Sequence, residues 1–270
     1  RMLSSEMIGT LRSAAAIALI LIASLPMALW QIIALKSNGR LDDGRIPRLW
    51  HRMAVRLLGI RIHVRGAPSK KRPLLIASNH ISWSDIMVLG SLDEIHFIAK
   101  AEVATWPIFG TLARLQRSVF VERQARRKSG EQATQIARRM SDGDPMVLFA
   151  EGTTGDGNTL LPFKSTLFGA AQMALSEGGS ETVSIQPVAI AYTRLQGLPM
   201  ERRHRPHAAW IGDLDLMPHL LRLLREGAMD VEVHFGEPIT FIPGDDRKKL
   251  AREVERQVRD MFAAALRNPA

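Results

Sequence analysis

From Ser13 to Leu35 the chain carries no charged residue, and Arg12 and Lys36 bracket the run. In a helix these 23 residues, at about 1.5 Å each, reach about 34 Å. A bilayer's hydrocarbon core is about 30 Å thick, so the run is long enough to span it with some tilt. Pro26 lies inside the run and allows a kink or a re-entrant pair of half-helices. A secretory signal fits less well, because no clean A-x-A site closes the run and basic residues follow at once. The reading without a membrane is a buried core helix. Lys36, Arg40, Arg45, Arg48 and Arg52 follow the run, against Arg1 and Arg12 before it. The positive-inside rule then places the rest of the chain in the cytoplasm.

Pro47 to Leu58 reads as a second membrane element. Pro47 suits a first helical turn and Gly59 a stop. Arg48, Arg52 and Arg56 recur every four residues as a basic stripe, beside Leu49, Met53 and Leu57 with Trp50 and Leu58. That pattern suits a helix lying in the lipid interface. It equally suits a surface helix packed on the domain with its arginines in water.

The whole chain has 36 Lys and Arg against 27 Asp and Glu, a formal charge of +9, and its partner classes follow from that excess. Anionic lipid, an acidic carrier protein and nucleic acid are the candidates. With one Tyr, five Trp and nine Phe the chain lacks the aromatic platforms of a single-strand binder, so nucleic acid is not expected. No cysteine is present, which removes thiol nucleophiles, disulfides and thiolate metal sites. No divalent-metal cluster is evident. Gly152-x4-Gly157 approaches a phosphate-binding loop, but Asn158 stands where lysine is required.

From Gly59 onward strands and helices alternate. Ile60, Ile62 and Val64 alternate with Arg61, His63 and Arg65, a strand with one wet face. Leu74–Ser78, His96–Ala99, Val119–Glu122, Met146–Ala150, Val183–Tyr192 and Val231–Phe235 read as further strands. Ser84–Leu92, Trp106–Leu115, Ser129–Met140, Thr166–Ser176 and Arg247–Leu266 read as helices. The succession predicts an α/β fold with a mainly parallel or mixed central sheet flanked by helices. The expected organisation is a membrane segment and interfacial helix over 1–58, then one domain over 59–270.

The chemistry gathers after the strand Leu74–Ser78, in Asn79-His80-Ile81-Ser82-Trp83-Ser84-Asp85. Ligands collect at the carboxyl ends of strands in such sheets. His80 and Asp85 are about 140° apart on one continuous helix, so they meet only if His80 stays in the turn. Asp85 can then orient one imidazole nitrogen and leave the other for a substrate hydroxyl. Ser82-x-x-Asp85 is also a capping-box pattern, a role compatible with the first. Three signatures follow: Phe120-Val121-Glu122-Arg123, Phe149-Ala150-Glu151-Gly152-Thr153-Thr154, and Gln186-Pro187-Val188-Ala189-Ile190.

Together these motifs resemble the glycerolipid O-acyltransferase family, the lysophosphatidic acid acyltransferases and their relatives, from about Trp50 to Ile239. The resemblance implies that His80 is the general base and Asp85 its orienting carboxylate. The acceptor hydroxyl would attack an acyl thioester directly, with no acyl-enzyme and no bound cofactor; acyl-carrier protein or acyl-CoA is the co-substrate. Asn79, Ser82, Lys100, Arg123, Glu151, Gly152, Thr153 and Thr154 form the implied substrate-binding set, while Pro187 is architectural. Many phosphate-selecting relatives read E-G-T-R, and this chain has Thr154 where that arginine stands, losing a bidentate phosphate partner. Glu151–Gly157, Leu161–Ser165, Trp210 and Phe235-Gly236-Glu237-Pro238 look like the branch that acylates lyso-ornithine lipid, whose zwitterionic head places an ammonium opposite Glu151. Lysophosphatidic acid is the alternative acceptor, and a non-enzymatic basic lipid-binding protein the alternative class. The expected partners are the lipid membrane, a lyso-lipid and acyl-carrier protein. Arg126, Arg127, Lys128, Arg138 and Arg139, with Arg202, Arg203 and Arg205, read as solvated charge or as a surface for the acidic carrier or leaflet. The expected location is the bacterial inner membrane, with the catalytic domain on the cytoplasmic side.

Overall fold

The computed structural model describes residues 5–122, 129–211 and 215–269. Two helices lead, α1 (Ser5–Lys36) and α2 (Arg45–Leu57), followed by β1 (Ile60–Arg65), β2 (Leu74–Ser78), α3 (Ser84–Leu92), β3 (His96–Lys100), α4 (Phe109–Leu115) and β4 (Val119–Val121). Then come α5 (Ser129–Ser141), β5 (Met146–Phe149), α6 (Gly169–Ser176), β6 (Val183–Leu195), β7 (Leu198–Pro199), α7 (Leu216–Glu226), β8 (Met229–Phe235), β9 (Ile239–Phe241) and α8 (Arg247–Arg267). The sheet runs β1-β8-β6-β2-β5-β3-β4, with β7 and β9 also on β6. Along this path only β6 and β8 pair antiparallel, so the sheet is mixed and mainly parallel. β2 and β5 are buried throughout, as is β6 from Val183 to Thr193. Continuous apolar runs are what a sheet covered on both faces requires. One core cluster joins the sheet to Val55 of α2, Val88 of α3 and Val254, Val258 and Phe262 of α8.

Several boundaries depart from the sequence expectation for local reasons. Trp106 precedes Pro107 and is held extended at φ −71°, ψ 132°. A residue before proline is biased away from helix, so the expected helix from Trp106 starts at Phe109 behind a 3₁₀ turn over Ala101–Thr105. Thr166 likewise lies in a 3₁₀ turn, and α6 begins at Gly169. The sequence reading missed α7. α1 runs unbroken through Pro26, so no re-entrant pair of half-helices forms.

α1 turns its small and polar residues inward. Ser13, Ala16, Gln31 and Ala34 are buried, whereas Leu19, Leu21, Ile22, Leu25, Leu29 and Ile33 are exposed. Hydrogen bonds at Arg12, Ser24 and Gln31 help to fasten it to the rest. Arg12 donates to the last carbonyls of α7 at Leu224 and Arg225 (2.9 and 2.8 Å). Trp50 Nε1 donates to Ser24 Oγ at 2.8 Å, and Gln31 donates to the carbonyls of Asp43 and Leu115 at 2.7 and 2.9 Å. α2 packs on α3 through His51, Ala54 and Val55. Of its basic stripe, Arg48 and Arg52 are occupied at the C-terminal end of α3, donating to Leu92 O at 2.7 Å and Ser91 O at 3.2 Å. Cations are favoured there by the helix dipole and by orphan carbonyls.

Candidate active site

The turn after β2 stays non-helical until Ser84, as the meeting of His80 and Asp85 requires. His80 Nδ1 lies 2.9 Å from Asp85 Oδ2. The same oxygen accepts the backbone N–H groups of Ile81 and Ser82 at 2.6 and 2.9 Å. Asp85 thus reaches back to the turn as the acidic half of a capping box does. The serine half is not made: Ser82 Oγ is buried without a hydrogen-bond partner. Asp85 Oδ1 accepts the Tyr192 hydroxyl at 2.8 Å, and Ser84 Oγ lies 2.6 Å from that hydroxyl. Because an ionised carboxylate only accepts, Nδ1 carries the proton and Nε2 keeps its lone pair. Phe149, at the end of β5, stacks on the imidazole at 3.9 Å between centroids and 17° between planes, which fixes the plane of the ring.

His80 opens onto a cavity of about 440 Å³ whose wall is mostly apolar. Met27 and Ala28 of α1, Trp50 of α2, Met87 of α3, Phe97 of β3 and Phe109 of α4 contribute to it. A volume of this order suits an elongated small-molecule ligand. At the α1–α2 end stand His51, Gln31 and Gln116. His51 Nε2 pairs with Gln116 Oε1 at 2.8 Å. Burial pushes its imidazole down to about 4, with the Gln116 hydrogen bond opposing, so the ring is neutral. α3 passes close to this ring at Gly90, where a Cβ would clash with His51 Cδ2.

Of the expected site residues, His80, Lys100, Thr153 and Thr154 line the cavity together with Trp210. Asn79 does not: it is buried, and its side chain bridges to β6, donating to Ile190 O at 2.9 Å and accepting from Ile190 N at 2.8 Å. Its place in the motif is explained by joining the turn to the sheet. Ser82 and Gly152 are also buried. Gly152 has φ +74°, and a Cβ there would sit 3.1 Å from Lys164 Nζ. Arg123, like Arg126, Arg127 and Lys128, lies outside the described residues.

Glu151 is 2% exposed and does not line the cavity with Thr153 and Thr154. Its Oε2 has no hydrogen-bond partner. Burial pushes its carboxyl up to about 8 and the charge of Asp85 adds to this, against the backbone of Leu161 and His80 and the Arg259 guanidinium. At neutral pH it is a buried neutral acid. Among the described residues no group of His, Asp and Glu side chains is arranged to hold a metal ion.

The sequence reading also missed Tyr192, which stands 107 residues from Asp85 in the chain. Its only sequence signal is being the single tyrosine, close behind the Gln186–Ile190 signature.

Comparison with known proteins bears on this geometry. A family model described as acyltransferase matches residues 60–191. The lyso-ornithine lipid O-acyltransferase of Brucella abortus is 51% identical over 96% of this chain and 97% of its own. The protein of the same description from Rhizobium meliloti is 51% identical over 82% of this chain and 76% of its own. Among solved structures, the 1-acyl-sn-glycerophosphate acyltransferase of Thermotoga maritima superposes with a TM-score of 0.65 at 18% identity. That match covers 99% of this chain and 100% of the other, and it speaks for the fold alone.

Proposed function

The chain belongs to the acyltransferase family, and we propose that it esterifies the free hydroxyl of lyso-ornithine lipid with an acyl group from the thioester of acyl-carrier protein. The observation that carries this reading is the His80 Nδ1–Asp85 Oδ2 contact of 2.9 Å, set in the wall of an apolar cavity. His80 Nε2 takes the acceptor's hydroxyl proton while that oxygen attacks the thioester carbonyl carbon. Asp85 holds the tautomer and stabilises the imidazolium. The tetrahedral intermediate collapses with loss of the C–S bond, and Nε2 returns the proton to the leaving sulfur. The products are ester and free thiol, so the chemistry balances without an enzyme nucleophile, metal or bound cofactor.

The acceptor assignment is supported by the names of the relatives at 51% identity and by Thr154 on the cavity wall where phosphate selection would favour arginine. The presence of Thr153, Thr154 and Lys100 on the cavity wall supports a head-group site there, and the apolar lining supports a site for an acyl chain.

Attachment to the membrane is supported by α1, whose outward face is Leu and Ile. Arg12 and Gln31, both tied to the domain, are 19 residues apart, about 28 Å of helix. A helix fastened over that length lies along the domain. We therefore read α1 as dipping its apolar face into the cytoplasmic leaflet of the inner membrane rather than leaving the domain to cross it.

The test offers purified enzyme in detergent both lyso-lipids with acyl-carrier and CoA donors, beside H80A. Product from lyso-ornithine lipid and the carrier donor, reduced about 10²–10⁴-fold in H80A as expected for loss of a general base, is the expected result. Product mainly from lysophosphatidic acid or from acyl-CoA overturns that substrate while keeping the mechanism. Full activity in H80A overturns the mechanism.

A further inference from the structure

We propose that Tyr192 is a positioning residue of the catalytic pair, acting through Asp85 on His80; the inference rests on the general-base reading above. Three donors converge on Asp85 Oδ2, from His80 Nδ1 and the N–H groups of Ile81 and Ser82. The other oxygen, Oδ1, accepts from Tyr192, whose hydroxyl reaches it from β6 at 2.8 Å. Since the carboxylate only accepts, Tyr192 donates to it, and Ser84 then donates to Tyr192 across 2.6 Å. The order of hydrogen bonds is therefore Ser84 to Tyr192 to Asp85, with His80 arriving on the opposite oxygen. Tyr192 is 2% exposed and Ser84 and Asp85 are fully buried, so the chain from Ser84 to Asp85 is shielded from bulk solvent.

Two consequences follow for the reaction. The phenol locks the carboxylate against rotation, so Oδ2 stays aimed at Nδ1 and Nε2 stays aimed at the cavity. It also draws charge onto Oδ1, which makes Asp85 a weaker base and keeps the proton on Nδ1 when Nε2 becomes protonated. Burial, with the charge of Asp85, holds the phenol well above its ordinary pKa, so it remains a donor across the working range. Among the described residues, the charged and titratable groups nearby include Glu151 after β5, Arg259 of α8 acting on Glu151, and Lys100 on the cavity wall. None of them takes the place of Tyr192 on Oδ1 in the structure.

Removing the phenol leaves Asp85 more basic and His80 easier to protonate, so the acid limb of the kcat/KM profile moves to higher pH. A stronger phenol donor moves it to lower pH. Because Tyr192 is the only tyrosine in the chain, biosynthetic replacement of tyrosine by 3-fluorotyrosine alters this residue alone and preserves its shape and hydrogen bond.

The experiment compares wild type, the 3-fluorotyrosine protein, Y192F, the S84A/Y192F double variant and H80A, using lyso-ornithine lipid and acyl-carrier donor in detergent. We expect Y192F to lose about tenfold in kcat, less than the roughly 10²–10⁴-fold worth of a general base, with KM unchanged and the acid limb raised. The double variant removes the orphaned serine hydroxyl and keeps the kinetic loss, while fluorotyrosine shifts the limb the opposite way. Unmoved acid limbs in both Tyr192 replacements, with H80A inactive, overturn the proposal and leave the general-base reading standing. Recovery of kcat in the double variant in step with its melting temperature also overturns it, by assigning Tyr192 to stability alone. Full activity in H80A overturns the general-base reading itself, and this inference with it.

Discussion

Two buried carboxyl groups follow adjacent parallel strands, Asp85 in the first turn of α3 after β2 and Glu151 in the turn after β5. Asp85 accepts four hydrogen bonds, two of them from backbone N–H groups of its own turn. Glu151 has one oxygen with no partner, and burial pushes its carboxyl up to about 8. Depth in the protein is similar, so donor supply separates them. Enough convergent donors make a buried carboxylate a fixed acceptor able to orient an imidazole. Where donors are short, desolvation wins and the group holds its proton. The second outcome also protects the first, since a charged Glu151 would repel Asp85.

The largest effect should come from Asp85→Asn. The amide has one accepting oxygen and an NH2 in place of the other, so at least one of the four donors faces another donor. We expect a fall in kcat of at least about 10²-fold together with a lower melting temperature. Near-wild-type turnover would remove Asp85 from the chemistry and end the contrast with Glu151.

Asn79→Ala separates support of the turn from catalysis. It strips the donor from Ile190 O and the acceptor from Ile190 N, both buried. Groups left unsatisfied in this way cost about 1–3 kcal/mol. Denaturant midpoints should drop accordingly while KM for the lyso-lipid is retained; a raised KM at unchanged stability would return Asn79 to the substrate-binding set.

The smallest effect at neutral pH belongs to Glu151→Gln, which replaces one neutral group by another of the same shape. Turnover at pH 7 should stay within about twofold, because the wild-type carboxyl is already protonated there. Stability sharpens the test. The folded-state pKa, about 8, lies above the ordinary value of 4.5 for a glutamate. The contribution of Glu151 is therefore complete below 4.5 and is lost as pH rises through about 8. The melting temperature of E151Q relative to wild type should climb across that window and level off above it. Parallel curves would show that Glu151 is ionised when folded.

Legibility in the sequence followed how local each feature is. The His80–Asp85 pair was readable because five residues of one turn bring it together, and the strand before it was an uninterrupted apolar run. α3 matched Ser84–Leu92 residue for residue. The helix expected from Trp106 lost its first turn to Pro107, a constraint written in the chain but outvoted by apolar spacing. α7 passed unnoticed although its Leu220, Leu223 and Leu224 recur at helical intervals. In the sequence Arg48 and Arg52 suit a lipid-facing stripe and a packed surface helix equally, and only the position of the α3 C-terminus shows where their charges go.

By itself the sequence determined the class of fold, the turn that carries the reacting histidine, and an apolar first helix too long and too uncharged for an ordinary surface. Those properties reside in patterns of a few to about twenty adjacent residues, where period, length and side-chain type suffice. Tertiary structure alone decided that Tyr192 closes the hydrogen-bond set on Asp85, that Glu151 does not line the cavity and keeps its proton, and that α1 packs by its small face and exposes its large one. Each of these depends on which groups, distant in the chain, arrive at one buried point. The balance of desolvation against hydrogen bonding there is set by the arrival and is not encoded in any single segment.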